Sequence, residues 1–135
     1  MNFKLVDTLN PQTLIPQHKS DLAAVEKLGS YPITQIETII PSLAWIQDMN
    51  WPVAKDLAAY FRANLPHLTN PVIAVLHGND DIWKYNCLLL YSNAMHIDAK
   101  LLKIIKNIAV KPTAGEIEEG VQEIALRLIG KMDAE

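Results

Sequence analysis

Two short stretches hold residues whose types and spacing could do chemistry. IQDMNWPVAKDLAAYF, residues 46–61, sets Asp48 beside Trp51 and Lys55; DDIWKYNCLLLY, residues 80–91, sets Asp81 beside Trp83, Lys84 and Tyr85. Tryptophan, tyrosine and a cation are the anchors that protein interfaces favour, so the first chemistry is recognition: a ridge that contacts a protein partner. The second is a small-molecule or enzymatic cleft lined by Trp51, Trp83 and Tyr85, in which Asp48 or Asp81 works with a lysine. That reading requires an acid buried deeply enough to raise its pKa.

A purely structural use explains the same residues. Asn50 is a good helix N-cap, and Pro52 falls within the first helical turn, where a missing N–H costs no helical bond. Asp48 is placed to bond the turn backbone, and Trp51 to cover the seam between two helices. Asp80 and Asp81 are adjacent at a helix start and point apart, so capping is their simpler use. Lys55 and Lys84 have Asp48, Asp80 and Asp81 within reach as ordinary ion-pair partners.

Other candidates are weaker. His18, His67, His77 and His96 lie ten or more residues apart, and none shares a helical face with an acid at i+4, so no metal site is expected. The single cysteine, Cys87, excludes an intramolecular disulfide and reads as a small buried core residue. Lys100, Lys103 and Lys106 form a basic strip, and Glu116, Glu119 and Glu123 an acidic one. If their helices are antiparallel neighbours, these strips face each other as exposed ion pairs of little individual worth.

Composition excludes some function classes. Half of the 135 residues are hydrophobic and a fifth are charged, with a formal net charge of -3. Such a chain can bury a core without staples, and it lacks the basic footprint that nucleic acid demands. No segment approaches the run of 18 or more apolar residues of a membrane span, and the first residues hold no apolar stretch of signal-peptide length. A reduced, cytoplasmic setting with no cofactor is the expectation.

The elements that must position the two clusters are helices. Residues 1–19 read as an irregular arm, with Leu5, Val6, Leu9, Leu14 and Ile15 available for packing. A helix over DLAAVEKL is capped by Ser20 or Asp21 and closed by Gly29. The next spans Ile33 to Gln47, with Ile36, Ile39, Ile40, Leu43 and Ile46 inward and a kink imposed by Pro41. Further helices cover Trp51 to Ala63, the stretch from Pro71 to the HG at 77–78, DIWKYNCLLLYSNA behind Asp80, and AKLLKIIKNIA behind Asp98. A last helix from about Gly115 to Lys131 turns Ile117, Val121, Ile124, Ala125 and Leu128 inward. No sustained alternation of the strand type appears.

The clusters repeat. Pro41, Leu43 and Ile46 match Pro71, Ile73 and Leu76 at an offset of 30; with one extra residue allowed in the first turn, Ala54, Lys55 and Ala58 match Trp83, Lys84 and Cys87 at 29. Helix pairs with a period near 30 are the mark of stacked helical repeats, in which each pair hides its apolar face against the next. The fold expected is all-α, a short right-handed superhelix of HEAT/ARM-like hairpins, with residues 20–135 as one domain. An uncovered repeat end would also let such a stack form a homodimer.

WIQDMNWPVA and DDIWKYNCLLL are similar to the two signature segments of the bacterial family called domain of unknown function 5071, a resemblance that covers about residues 20–130. It implies a compact all-α, HEAT-like superhelix and brings no established activity. Asn86 stands where that family often has an aromatic, which weakens an aromatic platform on this helix. No catalytic residue is carried over. The residues expected to bind are therefore Trp51, Lys55, Trp83, Lys84, Tyr85, Asp48 and Asp81, and a protein partner is expected ahead of a small ligand.

Overall fold

The computed structural model describes residues 15–28 and 40–133, and every regular element among them is helical. The chain groups into two compact units, Met1–Tyr60 and Phe61–Glu135, with the boundary inside one helix.

In the N-terminal unit, α1 spans Leu22–Leu28 and buries Ala24, Val25 and Leu28. Its start is held by Asp21, whose Oδ1 accepts from the Ala24 N–H at 3.4 Å and whose Oδ2 accepts from the Gln17 N–H at 3.0 Å. The expected stop at Gly29 and the inward residues Ile36 and Ile39 lie outside the described residues. Where the long second helix was expected, Ile40–Ile46 is a 3-10 segment. Pro41 lacks an N–H and disfavours α geometry in the residue before it, and a tighter single stretch absorbs that. Ser42, Leu43 and Ile46 are buried along it.

α2 spans Pro52–Arg62, with Pro52 at its first position. Asn50 does not cap it. Pro52 has no N–H to offer, and the Val53 N–H donates instead to the Lys19 carbonyl at 3.0 Å. Asn50 is exposed and its own N–H donates to Asp48 Oδ1 at 2.8 Å, so the acid organises the turn. Trp51 meets Trp45 edge-on, ring centroids 5.5 Å apart, and the Trp45 indole N–H donates to the Pro16 carbonyl at 3.1 Å. The aromatic pair thus ties residues 16, 45 and 51 together.

The C-terminal unit opens with a 3-10 turn, Leu65–Leu68, that runs directly into α3, Thr69–Leu76. Pro71 sits in the first turn of α3, so the helix begins two residues before the proline expected to open it. α4 spans Asp81–Leu89, α5 Ala99–Val110, α6 Ala114–Glu118 and α7 Val121–Asp133. Asp80 and Asp98 cap as the sequence predicts: Asp80 Oδ1 accepts from the Trp83 N–H at 3.0 Å, and Asp98 Oδ1 from the Lys100 N–H at 2.9 Å. α7 packs on α5 and α4, and α3 packs on the same two helices. Leu88, Leu101, Ile105, Val121, Ile124, Ala125 and Leu128 fill the interior.

Three expectations are corrected here. The final helix is two helices, broken at Gly120, whose φ of +81° is a left-handed conformation that glycine adopts without steric cost. Ile117 is not on the buried stripe; it is 57% exposed, because the short α6 turns Glu116 inward instead. The charged strips do not face each other: Glu116 is buried, Glu123 pairs with Arg127 on its own helix at 3.2 Å, and Lys100 Nζ donates to Asn70 Oδ1 at 3.2 Å.

The internal repeat also changes register. Ala54, Leu57, Ala58 and Phe61 are buried on α2, and Lys84, Cys87, Leu88 and Tyr91 are buried thirty residues later. Helix starts keep the offset of 29, but buried faces keep 30, a difference of one residue or about 100° around a helix. Lys55, exposed, therefore has no equivalent in Lys84, which occupies the core phase of Ala54.

Two glycines should respond oppositely to alanine. At Gly120 the added methyl group meets the Tyr85 ring at an ordinary 3.4 Å, but the positive φ remains, so Gly120→Ala should cost about 1–2 kcal/mol. Gly130 lies within α7 with nothing within 4 Å, and Gly130→Ala should stabilise by about 0.5–1 kcal/mol. Urea unfolding of both variants checks the pair; equal signs would contradict the assignment.

Candidate functional site

The polar centre of the C-terminal unit is built from two helix starts. Asp80, capping α4, fixes Asp81 as its first residue and brings Lys84 onto the same face one turn later. Thr113 caps α6 in a reciprocal box: the Glu116 N–H donates to Thr113 Oγ1 at 3.1 Å, and the Thr113 N–H donates to Glu116 Oε1 at 2.8 Å. That leaves Glu116 Oε2 for the Lys84 ammonium, which donates to it at 2.9 Å. Asp81 Oδ1 takes the same ammonium at 3.0 Å.

This cluster is internal. The side chains of Lys84 and Glu116 are 5% and 6% exposed, and that of Asp81 is 22% exposed. Burial alone would lower the pKa of Lys84, but the hydrogen bonds to Glu116 and Asp81, and their negative charges, outweigh it and hold the ammonium above its ordinary range. Gly115 belongs to the same packing: a side chain there would run into the Asp81 carboxylate.

The cluster lies at one side of a cleft of about 600 Å³, whose walls also include His77, Asn79, Asn107, Lys111 and Thr113. Its chemistry is that of a fixed array of donors and acceptors. A lysine held protonated is neither a base nor a nucleophile at neutral pH. Among the described residues no three histidine, cysteine or acidic groups converge as metal ligands. Asp81 and Glu116 do converge, but on an ammonium that fills the place a cation would take.

The expected site residues separate accordingly. Asp81 and Lys84 are brought together, with Lys84 directed inward to Glu116. Trp83 and Tyr85 are half-buried on α4 and lie outside the walls of the cleft; Tyr85 packs over Gly120. Asp48, Trp51 and Lys55 belong to the N-terminal unit, where Asp48 holds the turn, Trp51 meets Trp45 and Lys55 is exposed. Cys87 is fully buried, and burial, with the charge of Asp80 nearby, pushes its thiol up to about 12. Sequence reasoning missed Glu116 and Thr113. The signal was present as T-A-G-E at 113–116, the Thr-x-x-Glu spacing of a capping box.

The family model described as domain of unknown function DUF5071 matches residues 14–129, and the chain belongs to that family. No curated protein matches the chain.

Two outcomes follow from the buried cluster. Lys84→Met alone should cost about 3–5 kcal/mol, since it leaves the Glu116 charge buried without compensation, and Glu116→Ala alone should also destabilise, since it breaks the cap of α6 and leaves Lys84 with Asp81 only. Lys84→Met combined with Glu116→Gln, which preserves the cap, should cost clearly less than the two single changes summed, as urea unfolding of the full cycle would show. The second outcome concerns pH. Because the folded pKa of Lys84 lies above its ordinary value of 10.5, its stabilisation is complete below about pH 10.5 and is lost as pH rises through the higher folded value. Thermal melts should show that alkaline loss in the native chain and a smaller one in Lys84→Met.

Proposed function

We propose that this member of the family is a non-enzymatic interaction domain: a short right-handed, HEAT-like stack of helical hairpins over residues 20–135 that binds a protein partner. The observation that carries the reading is the state of the ionisable groups beside the cleft. Lys84 is held protonated by Asp81 and Glu116, and Glu116 spends its other oxygen on the Thr113 amide. Groups committed to one another in this way supply a rigid, preorganised surface, which favours recognition over catalysis.

In this reading Trp83 and Tyr85 on α4, and Trp51 just before α2 with Lys55 on it, are the contact residues, each on its own unit. Lys84 and Asp81 brace α4 from within, and Asp48 holds the turn before α2. The setting is reduced and cytoplasmic, matching a chain whose single cysteine has no second one to pair with. Among the described residues no helix is long and apolar enough to cross a membrane. Homodimerisation through an uncovered end of the stack belongs to the same proposal, and light scattering at two concentrations tests it.

The cleft itself favours a second reading, a small polar ligand, since about 600 Å³ falls within the usual range of such sites. Affinity capture from the source organism separates the two. The native chain should retain a discrete protein that Trp83→Ala loses at least tenfold, with circular dichroism and melting temperature unchanged. Retention by Trp83→Ala counts against the contact ridge. A thermal shift with small polar metabolites, abolished by Lys111→Glu at the cleft wall, would favour the second reading.

A further inference from the structure

The cleft beside the ion cluster has walls of two kinds. Asp81, Lys84 and Glu116 are bonded to one another, whereas His77, Asn79, Asn107 and Lys111 are exposed and, among the described residues, their side chains make no hydrogen bond or ion pair. Two stretches of chain bring these four to one opening. His77 and Asn79 come from the turn between α3 and α4, Asn107 from the last turn of α5, and Lys111 from the residue that closes that helix. The Lys111 N–H still donates to the Asn107 carbonyl at 2.8 Å, so the two side chains lie one turn apart on the same face.

Charge decides what fits. With Lys84 held protonated, the bonded cluster sets two carboxylates against one ammonium and carries one net negative charge. Asp81 is its accessible acid, with a side chain 22% exposed against 6% for Glu116, and a carboxylate that has bonded one lysine keeps further acceptor sites. Lys111 brings an unpaired positive charge to the same cleft. A simple anion drawn to Lys111 is opposed by the cluster, and a simple cation drawn to Asp81 is opposed by Lys111. A molecule that carries both charges is attracted at each place and repelled at neither. The Asn79 and Asn107 amides add donors and acceptors together, which suits a ligand whose remaining polar group is itself an amide.

We propose that the cleft binds a small zwitterion of the amino-acid class, its carboxylate on Lys111 and its ammonium on Asp81. This rests on the small-ligand reading of the cleft and names its ligand class; it is independent of Trp83 and Tyr85, which lie outside the walls. The volume suits such a molecule. At about 30 Å³ for each water in the liquid, a cleft of about 600 Å³ corresponds to roughly twenty waters, room for an amino acid or a dipeptide with its side chains.

The test is a titration of the ¹⁵N-labelled full chain with L-glutamine, glycyl-L-glutamine, acetate and methylamine, followed by amide shifts. Glutamine and its dipeptide differ in the distance between their charges, so the tighter of the two reports the spacing of the site; acetate and methylamine each carry one charge alone. Saturable shifts at Gly78, Asn79, Lys111 and Thr113 are expected with a zwitterion, and binding of either half should be weaker by about fivefold or more, the upper worth of one exposed ion pair. Lys111→Gln should weaken the zwitterion by a similar factor with an unchanged circular dichroism spectrum, while Lys106→Gln, an exposed change outside the cleft walls, should not. The proposal is overturned if neither zwitterion gives saturable shifts, if Lys111→Gln binds unchanged, or if acetate or methylamine binds as tightly. In that last case the ligand class fails and the cleft survives as a polar site; silence from all four probes counts against the cleft reading as well.

Discussion

A single carboxylate closes two circuits in the C-terminal unit. Glu116 accepts the Thr113 N–H with one oxygen and the Lys84 ammonium with the other, so the cap of α6 and the ion pair to α4 share one side chain. The capping box fixes its rotamer before the ion pair is considered, which lowers the entropy lost in forming the latter. Asp81 completes the arrangement, and Gly115 keeps the close approach open. The starts of α4 and α6 are thereby held to each other by charge, while α7 behind them is held by apolar packing.

Burying three charged groups is expensive, and a well-packed apolar cluster of the same volume is often as stable. What the ionic version supplies is directionality. The Lys84 ammonium must keep both carboxylates within hydrogen-bond reach, so the first turn of α6 is held against sliding along α4 more firmly than over an apolar contact. The same commitment explains the chemistry of the cleft: Asp81, Lys84 and Glu116 are already paired, and its exposed wall residues His77, Asn79, Asn107 and Lys111 are left to meet whatever enters. Elsewhere in the unit Tyr91 brings a buried hydroxyl that the protein does not pair.

Much of the helical layout was legible in the sequence. Asp80 and Asp98 announced the starts of α4 and α5 because a side-chain oxygen at the N-cap competes with nothing else for the first amides. Val121, Ile124, Ala125 and Leu128 announced the buried face of α7. The failures share a cause, which is that a local rule was outbid by a distant group. Asn50 lost its capping role when the Lys19 carbonyl took the Val53 amide. Ile117 lost its place in the core when the Thr113–Glu116 box set the phase of α6, and Gly120 then broke the helix so that α7 could begin in a new phase.

By itself, then, the sequence determined that the chain is helical, where most helices begin, and that Cys87 is core and Trp83, Lys84 and Tyr85 share one helix. Those are properties of spacing and of side chains acting within a turn or two. Only the tertiary structure decided that Lys84 is buried while Lys55 is exposed, that Glu116 is its partner 32 residues away, and that the Tyr91 hydroxyl is buried without a hydrogen-bond partner in the protein. Each depends on which face a helix turns toward a neighbour, a rotation of about 100° per residue that hydrophobic periodicity constrains only loosely when a lysine, with its apolar stem, can occupy a core position.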